Sequence, residues 1–221
     1  MSEAWAAAKP TVCYLNRQYR QSDSALNNIL NEIRSGQLKG DSYAKLLEAK
    51  HNQLNGDLEP TNLFTHNIDV DRINQEHLEK LDGRLRTFNA EIKGNIKLAE
   101  TLKKSVLAPE NLQLKIGAKV MFVKNNLEKG YVNGSLGKIV GFNSDGKPSV
   151  KLSNGKTIYV EKEEWAIQDE QGKTLVRLEQ LPLRLAWAIT VHKSQGMTLE
   201  SAKIDLSKTF ETGQGYVALS S

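Results

Sequence analysis

The chain of 221 residues carries one cysteine, Cys13, so an internal disulfide is excluded. That scarcity fits a reducing, intracellular and cytoplasmic setting. Cys13 lies in the apolar run TVCYL and reads as a packed core thiol rather than a nucleophile. No apolar run reaches the roughly 18 residues of a membrane span, so no membrane partner is expected. The N-terminus MSEAWAAAKP lacks a basic region followed by an apolar core and does not read as a signal peptide. Also missing are the GxxxxGK phosphate loop ending in Ser or Thr, a glycine-rich dinucleotide turn, HExxH and paired CxxC. These absences remove a self-contained P-loop site, a Rossmann cofactor site and the common zinc sites, and no structural metal is expected. If the chain handles a nucleotide, the phosphate cradle lies elsewhere. One-signed charge is scarce as well: 30 Lys and Arg face 26 Asp and Glu, for a net +4. The pI of about 9.0 leans weakly towards a polyanion, because the basic residues are spread along the chain.

What is present reads as an ordinary globular composition, 39% hydrophobic and 25% charged, with room for a sizeable core. TVCYL (11–15) predicts a short buried strand. SDSALNNILNEIRSG (22–36) predicts a helix, with Leu26, Ile29, Leu30 and Ile33 on one face and Gly36 as its stop. A weaker helix is expected near 41–52. NLFTHN (62–67) reads as a strand ending in polar residues, followed by a helix over 69–81 with Val70, Ile73, His77, Leu78 and Leu81 on one stripe. Strand–helix–strand–helix order points to a parallel sheet covered by helices. Residues 84–92 look extended and 95–107 helical. From Leu114 to about Leu178 the texture changes to short strands separated by Asn133-Gly134, Asp145-Gly146 and Asn154-Gly155, which predicts a small antiparallel barrel. LPLRLAWAITV (181–191) reads as one long buried strand. The expected architecture is an α/β domain with an inserted β-barrel.

That long strand stops at Thr190 and is followed by His192, Lys193, Ser194, Gln195 and Gly196. Ligands of open parallel sheets bind beyond the carboxyl ends of strands. Hydroxyl, imidazole, ammonium and amide groups in one turn suit phosphate oxygens, and Gly196 permits close backbone approach. A polar turn that merely caps the next element is the alternative.

The residue order resembles a known family. AWAITVHKSQGMTLE is similar to motif V of the Pif-like and RecD-like branch of superfamily 1 DNA helicases. SEAW with CYLNRQYRQSDSALNNILNEIRSGQ resembles the stretch after that family's motif III through motif IV. LFTHNIDVDRIN resembles its strand–loop–helix at the DNA-facing edge. LKIGAKVMFVKNN and YVNGSLGKIVGF resemble the start of its SH3-like insertion, and FETGQGYVALS its motif VI. The resemblance implies a second RecA-like lobe, 1–113 and 179–221, interrupted by an SH3-like barrel at 114–178. The first lobe, with the Walker A lysine and the acidic residues that hold Mg, is the implied missing partner. A start just before SEAW is that expected of an excised domain with an added initiator.

The resemblance also implies roles. Arg20 matches the arginine that reaches the terminal phosphate of ATP, with Gln21 beside it; on residue type alone Arg20 is a surface ion pair. Thr190, His192, Lys193 and Ser194 match positions facing the tracking strand, and Gln195 and Gly196 positions near the nucleotide. His192 alone would read as a satisfied structural histidine. Thr65, His66 and Asn67 are expected beside them on the same sheet edge, Asn67 also serving as a helix cap. In motif VI, Gln214, Tyr216 and Ser220 match, but Ser221 stands where the family has an arginine finger, and a hydroxyl carries no charge. Lys119, Lys124 and Lys129 are candidate phosphate contacts or a solvated basic face. Phe122, Tyr131, Phe142 and Trp165 read as barrel core. The function implied is half of an ATP-dependent 5′-to-3′ DNA helicase, using ATP and Mg, bound to single-stranded or forked DNA and inactive alone. A stand-alone nucleic-acid module without ATPase activity is the alternative. A degenerate helicase domain within a recombination or relaxase polyprotein is a third reading, supported by Ser221 alone.

Overall fold

The computed structural model describes residues 3–11, 13, 24–49, 59–64, 67–197, 199, 201–205 and 213–220. The chain divides into two compact units, Met1–Leu47 and Glu48–Ser221. The first holds α1 (Glu3–Ala8), α2 (Ser24–Ser35) and most of α3 (Gly40–Ala49). On α2 the expected stripe is the inner face: Ile29 and Leu30 are buried, Leu26 and Ile33 half-buried. The helix stops where Gly36 N–H donates to the Ile33 carbonyl at 3.1 Å. After it, the Lys39 backbone N–H donates to the Glu32 carboxylate at 3.0 Å and holds that carboxyl below its usual range. Cys13 is exposed, which corrects the core assignment from its apolar neighbours. Apolar flanks measure local composition, not the direction of one side chain. Most of the strand expected at 11–15 lies outside the described residues.

The second unit runs β1 (Thr61–Phe64), α4 (Asn67–Glu79), β2 (Arg86–Asn89), β3 (Glu91–Gly94), α5 (Ile96–Ser105), β4 (Asn111–Leu114), β5 (Lys119–Phe122), β6 (Leu136–Phe142), β7 (Pro148–Leu152), β8 (Thr157–Tyr159), β9 (Glu163–Gln168), β10 (Thr174–Gln180), β11 (Leu183–Leu185), β12 (Ala188–Thr190), α6 (Val191–Ser194), β13 (Ala202–Ile204) and α7 (Gln214–Leu219). Strands β12, β1 and β13 form a parallel sheet in that order. Helix α4 packs against β1 and β12, burying Val70 and Leu78. Leu63 and Ile189, paired across β1 and β12, are essentially inaccessible and share a core with Ala99 and Leu102 of α5. The α5 start is set by Asn95, whose side-chain oxygen accepts from the N–H groups of Lys97 and Leu98.

The rest of the unit is antiparallel. Strands β11, β5, β6, β7 and β8 form one sheet, β3, β10 and β9 another, and β2 pairs with β4. The Asp145-Gly146 and Asn154-Gly155 turns close the β6–β7 and β7–β8 hairpins. Phe122 and Tyr131 stack at 4.0 Å in the core of the five-stranded sheet, as their types predict. The expected barrel does not close: among the described residues no pairing joins β8 back to β11. The pairing also draws on strands outside 114–178, with β3 on β10 and β11 on β5.

A second correction concerns 181–191, which is two strands in two sheets. Ala186 N–H still donates towards β5, to the Lys119 carbonyl at 3.0 Å. The Ala186 carbonyl accepts from Thr61 Oγ1 at 2.9 Å, and the Trp187 carbonyl from Asn62 N–H at 2.9 Å. The chain thus changes hydrogen-bonding partner within two residues. Both halves are buried, so an uninterrupted apolar run hides the break.

Candidate nucleic-acid interface

The site begins with strand direction. β1 and β12 are parallel neighbours, with Leu63 opposite Ile189 and Phe64 opposite Thr190. Their carboxyl ends therefore leave the sheet at the same rim. The segment after Phe64 leads into α4, and the segment after Thr190 leads into α6. Thr65 and His66 lie outside the described residues, as do Arg20, Gln21 and Ser221. Asn67 is the first residue of α4.

In the loop after β12, the side chains divide by burial. Thr190 is buried, and its hydroxyl oxygen accepts from the Lys193 N–H at 3.4 Å, capping α6. Ser194 is fully buried and donates to the Val191 carbonyl at 2.8 Å. Both hydroxyls hold the loop's shape. His192 and Gln195 are exposed, and Lys193 is half-buried. Gly196 turns the chain at φ +82°, a conformation that strains any residue with a Cβ. Met197 then returns to the core. Helix α7 packs against α6, so Gln214, Tyr216 and Ser220 belong to an element beside the loop. Gln214 is its first residue; Tyr216 and Ser220 are half-buried.

Two residues that the sequence reading passed over shape this rim. Asn74 is buried on α4, on the row of Val70 and Leu78. Its Nδ2 donates to the Ala188 carbonyl at 2.9 Å, and its Oδ1 accepts from Ala188 N–H at 3.0 Å. Among the described residues β12 is an edge strand, and this amide satisfies its outward backbone groups as a further strand would. A polar residue on an apolar stripe was the available signal. Arg184 is the other, a charge inside the apolar run LPLRLAWA and only 8% exposed. Lys193 sits close enough to sense it. Burial first, and then the Arg184 charge, push the Lys193 ammonium below its usual range, while Asp71 opposes them.

The three lysines considered for phosphate are engaged internally. Lys119 is buried, its ammonium donating to the Glu59 carbonyl, and burial pushes it down to about 8. Lys124 pairs with Glu163 at 3.4 Å and donates to the Glu164 carbonyl at 2.6 Å. Lys129 bridges Glu161 and Glu163 at 3.2 and 3.5 Å. Burial alone would raise the Glu163 carboxyl, but hydrogen bonds from Asn126 and Tyr131 hold it low. Among the described residues no group of three or more His, Cys, Asp or Glu is placed to hold a metal ion.

Comparison with known proteins bears on the whole chain rather than on single residues of this rim. Residues 97–142 match the family "DNA helicase Pif1, 2B domain". The whole chain aligns, at 40% identity, with the ATP-dependent DNA helicase Pif1 of Psychrobacter sp. (strain PRwf-1), of which it covers 42%. Over its full length the chain is similar to one part of Pif1 helicases. Among solved structures, a Bacteroides sp. Pif1 in complex with ADP-AlF4 is similar, with a TM-score of 0.77 and 34% identity. It matches 91% of this chain and 47% of that one. A Bacteroides Pif1 bound to ssDNA matches with a TM-score of 0.58 at 34% identity, over 92% of this chain and 48% of that one. The chain spans less than half the length of these relatives.

Proposed function

We propose that this chain is the strand-gripping second lobe of an ATP-dependent 5′-to-3′ DNA helicase. The observation that carries the reading is the parallel pairing of Phe64 with Thr190, which puts the carboxyl ends of both strands at one rim. His192 and Lys193 face single-stranded or forked DNA, with Thr65, His66 and Asn67 beside them, while Thr190 and Ser194 hold the loop in register. Gln195, Gly196 and Gln214, on the loop and the adjacent helix, face the nucleotide. Arg20, assisted by Gln21, reaches its terminal phosphate, because a guanidinium stays charged and forks onto phosphate oxygens. ATP and Mg are held mainly by a first RecA-like lobe carrying GxxxxGK. The antiparallel module near 114–178 corresponds to an SH3-like insertion that leans over the strand. Relatives named as ATP-dependent DNA helicases, and Bacteroides Pif1 solved with ADP-AlF4 or ssDNA, support these partners.

The test has two arms. Alone, the chain is expected to bind a labelled single-stranded oligonucleotide with affinity that falls steeply as salt rises. It is expected not to hydrolyse ATP until joined to a lobe with GxxxxGK. In the joined protein, Arg20→Ala lowers hydrolysis by about 10³-fold or more and leaves strand binding largely intact. Normal hydrolysis in that variant would remove Arg20 from the nucleotide site. A joined protein that binds DNA but never turns over ATP would favour a binding module.

A further inference from the structure

Beside the loop lies a cavity of about 310 Å³ whose walls include Lys103, Lys104, Arg184 and Lys193, with Asp71 and Glu110 as its carboxylates. Arg184 also lines an adjoining cavity of about 210 Å³, which shares Asp71 and Pro109. The Arg184 Nε is buried without a hydrogen-bond partner. A buried guanidinium left short of acceptors is costly unless an anion completes it. Lys103 is engaged with Glu100 at 3.1 Å and Glu110 at 3.2 Å. Lys104, Arg184 and Lys193 form no carboxylate ion pair among the described residues. Burial disfavours the charged Arg184 guanidinium and the Asp71 carboxylate offsets this in part, so an anion in the cleft would stabilise both this arginine and Lys193.

We propose that this cleft is a phosphodiester subsite, in which the Arg184 fork, with Lys193 and Lys104, holds one phosphate of the strand gripped by the loop after β12. The inference rests on the strand-binding reading above and extends the track from that loop across β11 to the end of α5. An arginine suits the position because two N–H groups can take two oxygens of one phosphate, where an ammonium offers a single point charge.

The test measures binding of a labelled oligo-dT to the full chain as a function of salt. Arg184→Met is expected to weaken binding on the order of tenfold. It should also reduce the slope of log affinity against log salt by about 0.7, one phosphate contact on a single strand. Lys104→Ala, at an exposed position that folding does not depend on, is expected to reduce the slope in the same sense. If Arg184→Met fails to fold, Arg184→Lys takes its place: slope retained, affinity lower. A variant set that changes the melting temperature but leaves slope and affinity as in the unmodified chain overturns the subsite and leaves the strand reading standing. Inorganic phosphate binding the cleft under that same outcome would assign it to free anions instead, again against the proposal. If the unmodified chain binds no oligonucleotide, both readings fall together.

Discussion

At the scale of single residues, burial decides which polar groups are available for work. Lys119 sits in a strand and resembles a surface cation by composition, yet its ammonium is inside the protein. Its folded-state affinity for a proton is lower than in the unfolded chain, where a lysine titrates near 10.4. Below about pH 8 it is charged in both states and the burial penalty is fully present. Between about 8 and 10 the unfolded chain holds more protons, so this group makes stability rise with pH. Urea midpoints of the unmodified chain should therefore gain across that window relative to Lys119→Met, which has no such group. Identical pH profiles would show that Lys119 does not titrate low. Lys193 is the counterpart, half-buried but open to a ligand. Lys193→Ala is expected to weaken single-strand binding about equally for every sequence, because phosphate contacts carry no base information. Anisotropy titrations on several homopolymers would expose any sequence bias.

At the scale of elements, α4 and β12 behave as one piece. Asn74→Leu leaves the Ala188 N–H and carbonyl without partners in a buried place. Two such groups cost about 2–6 kcal/mol, which denaturant unfolding would resolve. Strand binding should fall too, since the loop after β12 inherits its position from that strand. The β3–β10 pair has its own constraint at Gly94. A Cβ there would lie 2.4 Å from the Leu175 carbonyl oxygen, at φ +118°. Gly94→Ala is thus expected to destabilise by more than about 1 kcal/mol, read as a lower melting temperature. Gln180 ties the same region together. Its amide nitrogen lies within 3.0 Å of the carbonyls of Phe88, Pro109 and Glu110 and shares its two N–H groups among them, joining the end of β10 to the β2–β4 ribbon.

At the scale of the whole molecule, the second unit joins a short parallel sheet to a larger antiparallel assembly through one apolar stretch. Residues 181–191 contribute a strand to each side, so β5 and β1 are linked through Ala186 and Trp187. Movement of the antiparallel sheets would be felt at the strand that carries the loop. On the proposed reading, a polypeptide of this sequence, which carries no GxxxxGK, is expected to bind a strand but not to turn over ATP. A coupled ATPase assay with and without a separately supplied first lobe checks this directly.

Much of the fold was legible locally. Helical spacing located α2, α4 and α5, and Asn-Gly and Asp-Gly pairs located the hairpins, because these signals depend on neighbours in the chain. The resemblance to a family rested on five segments in order, with HKSQG and the ALS segment the most specific of them. Other features needed contacts between distant residues. Whether 181–191 is one strand or two depends on which sheet lies beside each residue, and both environments are apolar. The open order of the antiparallel strands, the burial of Lys119, the clamp of Asn74 on Ala188 and the incomplete Arg184 are likewise properties of packing. The sequence by itself determined the periodicities, the turns and the chemical character of the loop. The tertiary structure decided which of those polar groups are exposed and which are buried, because burial is set by packing between segments far apart in the chain, as the clamp of Asn74 on Ala188 shows.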